Sequence, residues 1–157
     1  MPLALGSLGI SGSATPERRS FVCRTLTGCL VTHEIRDWAV GWGNEKVYEN
    51  TLKTMYSFGY GKTDCAVYNY WDKDFPAIIS GVDHASLLLV RNGAAMLIIC
   101  DYGSGGTASI TLKGTQLGLK DNGSFIDAET EKPVEHNQPF SCKLPIERHD
   151  FKIISYK

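Results

Sequence analysis

The chain has 157 residues, of which 43% are hydrophobic and 21% charged, with a net charge of −1. That balance leaves no electrostatic footprint for nucleic acid or an anionic membrane, and no apolar run reaches the ~20 residues a membrane-spanning helix needs. At this length about 70% of the unfolded chain's surface can be buried, so the fold requires no staples. The five cysteines, Cys23, Cys29, Cys65, Cys100 and Cys142, form no C-x-x-C pair and mostly lie in apolar stretches, as buried thiols do. His33, His84, His136 and His149 show no short ligand spacing, so neither a metal nor another cofactor is expected.

Residues 1–15 are rich in glycine and serine and lack the basic start of a signal peptide, which makes them a loose leader by composition. Neither a targeting signal nor a compartment is legible. Thr15 before Pro16-Glu17 is a helix start, with threonine as cap, proline in the first position and an acid in the first turn; the helix is expected over 16–27. Residues 29–35 (CLVTHEI) then read as a buried, β-branched strand. A loop over 37–44 carries Trp38 and Trp42. Tyr48, Leu52, Met55 and Tyr56 recur on one face of a helix over Glu45–Phe58, which Gly59 ends. Residues 65–71 (CAVYNYW) are extended, and Pro76 and Gly81 punctuate the passage onward.

From His84 the chain is a succession of short strands. His84–Arg91 and Ala94–Asp101 are apolar runs joined by Asn92-Gly93, a strong hairpin signal because both turn residues tolerate positive φ. Further strands are expected over 107–112, 116–119, 124–130, 140–145 and 150–156. The class is therefore α+β. A leader over 1–15, a helix–strand–helix portion over 16–75 and an antiparallel, sandwich-like β domain over 76–157 are the expected divisions.

This order resembles the C-terminal part of (β/α)8-barrel glycoside hydrolases, α-galactosidase-like and α-amylase-like enzymes among them. Residues 30–36 (LVTHEIR) look like the last barrel strand, Glu45–Phe58 like the helix after it, and Tyr68-Asn69-Tyr70-Trp71-Asp72 like the connector into the β domain. The resemblance implies an accessory or C-terminal portion of a larger enzyme, with the barrel domain as its missing partner. Self-association of an uncovered sheet edge is the other partner expected. It also places His33, Glu34, Arg36, Asp37 and Trp38 at a strand end facing substrate. Glu34 and Asp37 are then the candidate catalytic carboxylates. Glycosidases need two such groups ~5–10 Å apart, and the preceding barrel strands that would complete the pair are absent, so catalysis by the chain alone is not expected.

Alternatives stand beside that reading. Glu34 can be an ion-pair partner of Arg36 or Arg24. His33, Trp38, Trp42, Tyr70 and Trp71 are candidates for contact with carbohydrate, since flat rings suit the C–H faces of sugars, yet they can equally pack between the helical part and the β domain. A stand-alone carbohydrate-binding module and a small enzyme of unrelated chemistry centred on His33 and Glu34 are the competing functions. Gly61-Lys62-Thr63 is not a phosphate loop, because Tyr56 stands where that motif requires glycine.

Overall fold

The structure, a computed structural model, describes residues 15–35, 45–136 and 138–157. Among them the chain forms helices α1 (Pro16–Thr32) and α2 (Glu45–Phe58), followed by nine strands: β1 (Ala66–Asn69), β2 (Ala77–Ser80), β3 (His84–Arg91), β4 (Ala94–Asp101), β5 (Gly106–Leu112), β6 (Phe125–Asp127), β7 (Pro133–Val134), β8 (Ser141–Ile146) and β9 (Phe151–Tyr156). Six strands make an antiparallel sheet in the order β1-β3-β4-β9-β6-β7, and β2-β5-β8 make a second. The expected α+β class with a sandwich-like antiparallel region is what folds. No helix among the described residues is long and apolar enough to cross a membrane.

Strand periodicity explains the three layers. Leu88, Leu97, Ile99 and Ile154 point to one face of the large sheet and pack against Ala108, Ile110, Leu112, Cys142 and Leu144 of the small one. Leu87, Leu89, Met96, Ile98, Phe151 and Ile153 point to the other face, under Val31 of α1 and Met55 of α2. Strands β3 and β4 are covered on both sides, which is why they read as unbroken apolar runs. Their turn is as expected: Asn92 has φ 51° and Gly93 φ 73°.

Helix α1 starts where the sequence places it, with Arg18 N–H donating to Thr15 Oγ1 at 3.3 Å. It does not stop at residue 27. The strand expected over 29–35 is instead helix as far as Thr32. Gly28 explains the difference. A Cβ there would lie 2.6 Å from Cys100 Sγ and 2.9 Å from Phe151 Cβ, so this glycine marks where helix and sheet touch, not where the helix ends. The intrinsic cost of glycine and β-branched residues in a helix, about 1 kcal/mol or less each, is small beside the burial of Leu30 and Val31 on the sheet. Nor do residues 116–119 form a strand: Leu117 N–H and Leu119 N–H both donate to Gly114 C=O, and the turn drops Leu119 into the core. Strands β2 and β7, which the sequence did not announce, lie at sheet edges.

Candidate functional site

The end of α1 brings the chemistry-bearing residues together. Ile35 N–H donates to Leu30 C=O at 2.9 Å, and Glu34 N–H to Val31 C=O at 3.2 Å. These two bonds close a Schellman cap, a motif whose left-handed position normally holds glycine. Here it holds Glu34, with φ 55°. Left-handed backbone costs a side chain about 1 kcal/mol, and a carboxylate beside a helix C-terminus faces the negative end of the dipole.

His33 caps the same helix. Its Nδ1 sits 2.8 Å from Cys29 C=O, and its Nε2 lies 3.3 Å from Tyr70 Oη. A carbonyl only accepts, so Nδ1 carries the proton, and in the neutral ring Nε2 accepts from the Tyr70 hydroxyl. Three further rings surround the imidazole: Tyr70 at 5.8 Å, Trp71 at 5.6 Å and Tyr102 at 6.5 Å between centroids. Tyr70 and Trp71 meet edge to face at 5.0 Å. Trp71 remains 53% exposed and Tyr102 40%. The phenol end of Tyr102 turns inward; burial pushes its pKa up, a bond with Cys29 adds to that, and one with Thr32 opposes it.

Glu34, the residue after His33, belongs to no ion pair among the described residues. Tyr60 Oη donates to its Oε1 at 2.8 Å and Asn69 Nδ2 to its Oε2 at 3.3 Å. The amide orientation follows from chemistry, since a carboxylate accepts and Asn69 must present its NH2 group. Asn69 Oδ1 is then buried with no hydrogen-bond partner among the described residues. The same residue's N–H donates to Asp72 Oδ2 at 2.8 Å, which shapes the turn that presents Tyr70 and Trp71.

The sequence-level candidates divide clearly. His33, Glu34, Tyr70 and Trp71 converge at one corner, on a helix terminus and not on a barrel-type strand end. Asp37, Trp38 and Trp42, with Arg36, lie outside the described residues. Tyr68 packs into the inter-sheet core. The proposed Arg24–Glu34 pair does not form: Arg24 bonds Asp150, and Glu129 at 3.0 Å. Burial works against the Arg24 charge, but the two acids more than offset it, so its pKa is raised. Tyr60, Asn69 and Tyr102 were not singled out. Asn69 was within reach, being in the same short connector as Tyr70 and Trp71; Tyr60 and Tyr102 join only through the packing of α2 and β4.

No protein-family model matches this sequence, and no curated protein matches it significantly. Among solved structures, the fold is similar to the crystal structure of a GH27 β-L-arabinopyranosidase from Geobacillus stearothermophilus in complex with arabinose, with 11% identity and a TM-score of 0.47. The similarity covers 94% of this chain and 33% of that one, so the chain spans about a third of that enzyme's length.

Proposed function

We propose that this chain is the accessory, C-terminal portion of a glycoside hydrolase-like protein, and that it holds carbohydrate by ring stacking without cleaving it. The observation that carries the reading is Trp71: half-exposed at 53%, backed by His33 and Tyr70, with a hydrogen-bonded carboxylate on the residue that follows His33. An indole held rigidly by neighbouring rings offers apolar area at little entropic cost, and hydroxyl groups of a stacked sugar find Glu34 as acceptor. Glu34 lies on an exposed corner, in keeping with a binding role more than with a closed catalytic pocket.

The test is tryptophan fluorescence titrated with mono- and oligosaccharides, with hydrolysis products assayed in the same samples. A saturable shift lost in Trp71→Ala, with no product formed, is expected. Product that disappears in Glu34→Gln would overturn the non-catalytic assignment. A panel with neither shift nor product would leave the chain a purely structural accessory.

A further inference from the structure

The corner around Trp71 carries a charge that no cation among the described residues answers. Ion pairs among the described residues engage Arg24, Lys53 and Arg91 with other acids, and none reaches Glu34. Glu34 receives one hydroxyl and one amide donor, both neutral. The turn after Trp71 adds exposed Asp72 and Asp74 against Lys73. The carbonyl end of α1 contributes further negative potential, and Asn69 Oδ1 stands behind Glu34 as an acceptor with no donor among the described residues. A carboxylate so placed violates two local preferences at once, left-handed backbone and helix dipole, on the residue that follows His33, whose ring packs on the exposed Trp71 indole. Such violations concentrate where a ligand uses them.

We infer that Glu34 makes this corner selective for amino sugars: a ring whose C–H face stacks on Trp71 and whose protonated amine is received by Glu34. This rests on the stacking reading above. The favoured ligand is a 2-amino-2-deoxyhexose with a free amine. A neutral hexose keeps the stacking contact and loses the charge-assisted bond. A uronic acid meets the same carboxylate with repulsion.

Calorimetric titration of the intact chain with glucosamine, N-acetylglucosamine, glucose and glucuronate tests it, at about pH 6 where such an amine is protonated. Glucosamine is expected to bind about fivefold more tightly than glucose or N-acetylglucosamine, and glucuronate about fivefold more weakly than glucose, the range of an exposed charge pair. In Glu34→Gln the glucosamine and glucuronate affinities should converge on that of glucose measured in the same variant. Trp71→Ala should weaken all of them together. N-acetylglucosamine matching glucosamine in the unmodified chain would overturn the inference with no variant needed, and so would a preference that survives Glu34→Gln; either leaves the stacking reading standing. Failure of every sugar to bind would overturn both.

Discussion

Helix α1 supports two corners that each hold carboxylates, and they solve the electrostatic problem in opposite ways. Beside its middle, Arg24 faces Asp150 and Glu129, donates to Phe151 C=O at 2.9 Å and lies 4.4 Å from the Phe151 ring centroid. Each charge there has an opposite charge or a π face against it. At its end, Glu34 has two neutral donors and no cation among the described residues. The first corner ties α1 to β9 and to the turn after β6. The second leaves unspent negative potential beside exposed aromatic surface. A balanced cluster is the ordinary signature of a structural contact, and an unbalanced one that breaks local rules points outward, to a ligand.

The largest perturbation lifts the platform on which both corners stand. Gly28→Val puts side-chain atoms where Cys100 and Phe151 already sit, and the loss of stability should be about 3 kcal/mol, the upper end for overpacking. Chemical denaturation measures it, and loss of sugar binding should accompany it because His33 and Glu34 move with the helix. Next comes Arg24→Met. It strands two carboxylates near Phe151 and should cost about 2 kcal/mol, below the figure for a fully buried pair because the site is partly solvated. Sugar affinity should be unchanged in that variant, which separates the two corners in one experiment. If Arg24→Met instead abolished binding, the corners would be coupled and the division drawn above would fail.

The same contrast explains what could be read from residues alone. The β3–β4 hairpin was legible to the residue, since Asn92-Gly93 encodes its turn locally and covered strands advertise themselves as apolar runs. Helix α2 was legible from its single apolar face. The C-terminal end of α1 was not, because residues 28–32 have weak local preferences and their helical state is decided by contact with Cys100 and Phe151, distant in sequence. His33 and Glu34 were found as a pair of chemically capable neighbours, but on the wrong element. Their actual placement, at a Schellman cap, cannot be inferred from a residue that the motif disfavours. Tyr70 and Trp71 were visible as a cluster in one connector. Tyr60 and Tyr102 were not, since only the tertiary fold carries them to Glu34 and His33.

A pH series sharpens the picture on a third polar group, His84 at the start of β3. Burial lowers the His84 pKa from 6.5, opposed by a hydrogen bond to the Ile79 backbone and by Asp83, while its Nδ1 lies 2.8 Å from Ser86 Oγ. The folded state therefore prefers the neutral ring. Stability from this group is fully present above the unfolded value of 6.5 and is lost as pH falls through the lower folded value. Stability is therefore expected to fall as the solution is acidified below neutral pH, and His84→Gln should flatten that fall.

The smallest effect has the most diagnostic sign. At neutral pH, Glu34→Gln removes a charge from the negative end of a helix dipole while keeping a carbonyl oxygen to accept from Tyr60. It should raise stability by about 0.5 kcal/mol, where the corresponding loss of charge at Arg24 lowers it. Thermal unfolding of the two variants side by side measures both signs. A gain at Glu34 together with a loss of amine selectivity would identify a residue kept at the expense of stability for what it binds. A loss of stability in Glu34→Gln would instead mean that the carboxylate is balanced after all, by a partner beyond the described residues, and would return this corner to the structural class of its neighbour at Arg24.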